Sequence, residues 1–155
     1  MDAKDVRLLQ DAVKARLDEI GVETAYLDGE EGQIGDTLRA LLPVTEAGDC
    51  VLMEILVSPF DESAELLQFY TTLIMEIGPG YEALKELLLD WNLFCPLGAF
   101  GIYRQGRQFF HRYTLPLPRT LPPEAMTDSV YYLADRIHAV ISERFPDAVR
   151  ISGHT

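Results

Sequence analysis

The chain has 155 residues, 13 of them basic and 25 acidic, for a formal net charge of −12. That balance argues against nucleic acid and anionic membranes as partners, and favours solubility or a partner with a basic segment. With 48% hydrophobic and 25% charged residues and no low-complexity tract, the composition is that of one folded domain with a sizeable core. The opening MDAKDVRLLQ lacks the basic flank and apolar core of a signal peptide, and polar residues interrupt every apolar run short of a membrane span; cytoplasmic residence is expected.

Val6, Leu9, Val13, Leu17 and Ile20 have helical spacing, which predicts an amphipathic helix over 3–20 ended by Gly21. Val22 to Asp28 reads as a short extended piece before an acidic turn, DGEEG. DTLRALLPV alternates Leu38, Ala40, Leu42 and Val44 against Thr37, Arg39 and Leu41, a strand that Pro43 places at an edge or near its end. CVLMEILVS is a second strand, with Val51, Met53, Ile55 and Val57 on one face and Leu52, Glu54, Leu56 and Ser58 on the other. ELLQFYTTLIMEI fits two periods. As a helix it stacks Leu66, Phe69, Leu73 and Ile77; as a strand it aligns Leu67, Phe69, Thr71, Leu73, Met75 and Ile77. Its β-branched and aromatic content favours the strand.

After Gly78-Pro79-Gly80, Tyr81, Leu84, Leu88 and Trp91 form one helical stripe, with Asn92 ending the pattern and Pro96 forbidding its continuation. AFGIYRQGRQFFHRY then reads as a hairpin turning at Gln105-Gly106, with Gly106 supplying positive φ. In that register Ile102 opposes Phe109, and Phe100 opposes His111. Phe100, Ile102, Phe109, His111, Tyr113 and Leu115 share the core face, while Phe110 covers Gly101 on the other. Pro116, Pro118, Pro122 and Pro123 read as a stiff connector. Val130, Leu133, Ile137, Val140 and Ile141 make the stripe of a last helix that Pro146 stops before a mobile tail.

Little in the chain has the spacing of chemistry. Asp135 and His138 share a helical face, but no further ligand pair completes a metal site, and His154 stands apart. Cys95 or Cys50 with His111 lacks the context of a nucleophile pair, and both cysteines read as reduced thiols. His111 is expected to be a satisfied, half-buried core imidazole. No catalytic residue, cofactor or metal is expected.

One feature departs from a sheet with a wet face. Leu52, Leu56, Leu66, Tyr70, Ile74, Tyr103 and Phe110 all point away from the core in these registers. Either helices cover both faces or this face is an interface, and Leu52, Leu56, Tyr70, Tyr103 and Phe110 are its candidate residues.

The helix ending in LLLDWN, the segment PLGAFGIYRQGRQFFHRYTLPL and the long closing helix resemble the YbjN-like family over roughly Val6 to Phe145. That resemblance implies the fold of type III secretion chaperones: small, acidic, cytoplasmic α/β proteins, usually dimeric, without catalytic residues. The reading is therefore a single α+β domain, an antiparallel sheet of about five strands with three helices in the order α-β-β-β-α-β-β-α. Its expected function is that of a non-enzymatic, homodimeric protein- or peptide-binding module, chaperone-like or regulatory. The alternatives are a small-ligand-binding or enzymatic domain with a pocket near His111, Tyr113 and Cys95, and a structural subunit of a larger complex.

Overall fold

The computed structural model describes residues 1–153, so His154 lies outside the described residues. The elements are α1 (Ala3–Glu19), β1 (Glu23–Leu27), β2 (Ile34–Pro43), β3 (Cys50–Pro59), β4 (Ala64–Ile74), α2 (Tyr81–Phe94), β5 (Ala99–Tyr103), β6 (Gln108–Pro118) and α3 (Thr127–Ser152). The fold is α+β, as the periodicities imply, but the antiparallel sheet has six strands, in the order β1-β2-β3-β4-β6-β5. The sixth is the short extended piece after α1, which pairs with β2 from Glu23↔Leu41 to Leu27↔Thr37.

Helix α1 begins on a capping box: Asp2 accepts from the Asp5 N–H at 2.9 Å, and Asp5 returns the bond to Asp2 at 3.2 Å. It closes at Gly21, whose φ of 85° suits the left-handed position there. All three helices lie on one side of the sheet. A single apolar cluster joins Val6, Leu9 and Val13 of α1, Leu84 and Trp91 of α2, and Val130, Ile137 and Ile141 of α3 to the inward strand residues. No outward-facing strand residue belongs to that cluster. Gln10 ties α1 to the sheet where β2 bulges, its amide donating to the Asp36 and Ile55 carbonyls at 2.8 and 3.1 Å.

Several local expectations are corrected. ELLQFY does form a strand, but β4 carries a bulge between Thr72 and Ile74. The extra residue shifts the alternation by one, so Ile74 pairs with core Phe109 and is buried rather than outward-facing. By the same shift Met75 leaves the core side and is 75% exposed.

Helix α2 continues past Asn92 to Phe94, and the Asn92 carboxamide grips β5: Oδ1 accepts from the Phe100 N–H at 2.7 Å and Nδ2 donates to its carbonyl at 2.9 Å. Pro116 and Pro118 are strand residues, paired with Leu66 and Ala64, and not part of a connector. They fit because β5 ends at Ala99↔Arg112, leaving that half of β6 an edge where a missing N–H is tolerated.

Nor does Pro146 stop α3, which runs through it to Ser152. An interior proline costs about 3 kcal/mol. Burial of Ala148 and Ser152 beyond it offsets that cost, together with the Ser152 hydroxyl and carbonyl, which accept from Gly78 and Gly80 N–H at 3.0 Å each.

The hairpin register is the one the turn implies, with Ile102↔Phe109 and Tyr103↔Gln108. Its positive φ sits elsewhere, at Arg107 (51°) and not at Gly106. The connection spans residues 104–107, and Arg107 is held in its unfavourable conformation from outside the hairpin. Its guanidinium donates to the Ile77 and Gly78 carbonyls at 3.1 and 2.9 Å and lies over the Tyr81 ring.

Candidate functional site: the open sheet face

The face away from the helices can be read row by row from the registers. One row crosses Leu41, Leu52, Thr72, Phe110 and Gly101; the next crosses Arg39, Glu54, Tyr70, Arg112 and Ala99; the third crosses Leu56, Gln68 and Thr114. The first row is apolar apart from Thr72. The second alternates in charge, and Arg39 Nε reaches Glu54 at 3.4 Å.

Leu52, Leu56, Tyr70, Tyr103 and Phe110 all lie on this face, as their alternation requires, with Tyr103 54% exposed and the other four half-buried by their neighbours. Phe110 stacks on Tyr70 with ring centroids 5.0 Å apart. Its ring also covers Gly101, where a Cβ would come within 2.6 Å of Phe110 Cζ. The Tyr70 hydroxyl donates to Gln108, and burial beside Glu54 holds its phenol above the ordinary tyrosine range. Near the β1–β2 turn the face dips into a groove of about 210 Å3, floored by Leu27, Leu56 and Tyr70 and rimmed by Asp28, Glu30 and Glu54.

A second apolar surface is not anticipated by the core stripe. Leu89, Leu93 and Phe94, on the far side of α2, are 63–76% exposed. The only signal for it is that LKELLLDWNLF carries apolar residues on more than one side of its helix.

His111, Tyr113 and Cys95 do not surround a common cavity. His111 is fully buried, where half-burial is expected from sequence, and is edge-on to Phe100 with centroids 5.0 Å apart. Tyr113 faces Phe69, whereas Cys95 borders a separate cleft with Trp91, Phe94 and Arg144. His111 Nε2 lies 2.7 Å from the Leu97 carbonyl, so this nitrogen carries the proton. Cys95 Sγ donates to the same carbonyl at 3.2 Å and stands 4.0 Å from Nε2. Thiol and imidazole thus share an acceptor, and the ring is not placed as a base for the thiol.

The imidazole is satisfied on one side only. Nδ1 of His111 and the hydroxyl of Thr71, its cross-strand neighbour, are buried without hydrogen-bond partners among the described residues. Burial holds the His111 pKa below the ordinary histidine value of 6.5. An imidazole kept neutral when folded but free to protonate when unfolded gives the unfolded chain more bound protons below pH 6.5. Stability should therefore hold above that pH and fall as acid is added below it. Urea midpoints measured across this range check the expectation, with the His111 ring resonances staying neutral where a free imidazole has titrated.

Cys50 and Cys95 are free thiols. Asp135 is taken by the neighbouring Arg136, and His138 Nε2 meets the Pro43 carbonyl, so they do not converge on a common point as metal ligands would. No helix among the described residues is long and apolar enough to cross a membrane. No protein-family model matches the chain, and no curated protein matches it.

Proposed function

We propose that this protein is a non-enzymatic, homodimeric protein-binding module, chaperone-like or regulatory, that associates through its open sheet face. The observation that carries this reading is the one-sided layering: three helices cover one face of a six-stranded sheet and leave Leu41, Leu52 and Phe110 in a row on the other. A monomer leaves much of these apolar side chains in water, whereas a second copy would remove them from it at roughly 25 cal/mol per Å2. The neighbouring row suits self-association. Arg39, Glu54 and Arg112 alternate in sign, so a twofold-related copy can place opposite charges across the contact. The resemblance to YbjN-like and secretion-chaperone-like proteins points the same way, as does an acidic surface matched to a basic client segment.

Leu52→Glu tests the reading. The charge falls within the apolar row but outside the core, so the far-ultraviolet spectrum should stay native while the dimer dissociates at micromolar concentration. A native spectrum with undiminished association would move the interface elsewhere, and Leu93→Glu on the outer side of α2 would then be the variant that dissociates it.

A further inference from the structure

One cavity serves neither the open sheet face nor the His111 cluster. It lies on the helical side, where the end of α1, strands β2 and β3 and the middle of α3 meet, and its volume is about 150 Å3. Leu17, Ala40, Leu42, Met53 and Ala134 line it, each no more than 5% exposed. Ala40 and Ala134 make the room. On β2 the inward neighbours of Ala40 are Leu38 and Leu42, and on α3 Ala134 sits between Val130 and Ile137. In an interior packed as tightly as an organic crystal, two small residues on elements that line the same space leave a gap their neighbours do not fill. The walls offer water few partners. An apolar cavity of about 150 Å3 holds a molecule the size of benzene.

The mouth is polar. Asp135, His138 and the half-buried Tyr131 stand there beside exposed Ile20 and Pro43. His138 Nε2 lies 2.5 Å from the Pro43 carbonyl, and a carbonyl only accepts, so that nitrogen carries the proton and is already engaged. Asp135 bonds Arg136 through Oδ2 alone, leaving Oδ1 without a partner among the described residues. The Asp135 carboxylate therefore stands at the mouth of an apolar chamber in a chain of net charge −12. A carboxylate head would be repelled there, and a wholly apolar molecule would leave Oδ1 of Asp135 unused.

We propose that this cavity binds a small amine whose apolar part is about one ring in size, the ring between Ala40 and Ala134 and the ammonium at the free Oδ1 of Asp135. The site is independent of the dimer reading, since it opens on the opposite side of the sheet.

Methyl NMR of methionine-labelled protein, titrated with 2-phenylethylamine near neutral pH, tests it. The expected result is a saturable shift of Met53, which lines the cavity, with ring-to-methyl cross-relaxation, while the exposed Met75 does not move. Phenylacetate should bind at least about tenfold more weakly, and Asp135→Asn should cost the amine about tenfold while leaving benzyl alcohol unaffected. Ala134→Leu should fill the chamber and abolish the Met53 shift. Should that variant not fold, ring-to-Met53 cross-relaxation in the native chain decides alone. No saturable Met53 shift at millimolar amine, or phenylacetate binding as well as the amine, would overturn the proposal.

Discussion

Phe109→Ala should destabilise the domain by about 3–5 kcal/mol, whereas Phe110→Ala, one residue away, should cost the fold far less and weaken self-association instead. Phe109 is fully buried, stacked on Phe100 at 5.6 Å and tilted against Trp91 at 6.2 Å. Deleting its ring opens a void between the sheet and α2 that rigid neighbours cannot close. Phe110 points the other way. Its intramolecular contacts are the Tyr70 stack and the Gly101 backbone, worth about 0.5–1.5 kcal/mol for the aromatic pair beyond the area covered. Denaturation should be followed at low protein concentration, so that dimer dissociation is not counted as lost fold stability. Equal losses of stability for the two variants, with association intact, would mean that Phe110 serves only its own chain.

The second large effect is expected at Gly98, just before β5. Its φ is 74°, and a Cβ there would stand 2.3 Å from the Arg112 carbonyl oxygen and 2.9 Å from His111 Cε1. Both neighbours belong to β6 and neither is a flexible chain end. Gly98→Ala combines a left-handed backbone with a collision, for a cost of about 2–5 kcal/mol. Gly106 is the control. Its φ is not positive and a Cβ would meet only the Tyr103 ring, at 3.5 Å, so Gly106→Ala should stay within about 0.5 kcal/mol of the native protein. Urea midpoints for the pair separate the two glycines, and a tolerant Gly98 would contradict the packing of the β5 entry against His111.

These two glycines show where sequence reading succeeds and where it stops. Alternation of side chains was legible in β2 from Leu38 onward, in β3, and in β6 as far as Leu115, and symmetry about the Gln105-Gly106 turn sufficed for the hairpin register. The conformation inside that turn was not, because the bonds that hold Arg107 at positive φ come from Ile77 and Gly78, about 30 residues upstream. The β4 bulge had no local mark either. Leu73, Ile74 and Met75 are all good strand residues, so nothing in their identity says where the alternation slips. Pro146 misleads for a related reason: local propensity argues for a stop, while the burial that overrides it depends on where α3 docks. Of the candidate surface, the facing of Leu52, Leu56, Tyr70, Tyr103 and Phe110 could be read from the period alone. Their grouping into an apolar row beside a charged one required the strand order. The cavity between Ala40 and Ala134 was out of reach, since two alanines nearly a hundred residues apart announce nothing until the fold brings their elements together.

The most direct measurement is the mass of the native protein by light scattering after gel filtration at micromolar concentration. Association through the open sheet face predicts a single species of twice the 17.5 kDa chain mass, reduced to the chain mass by Leu52→Glu. A native protein that elutes and scatters as a 17.5 kDa monomer would contradict it.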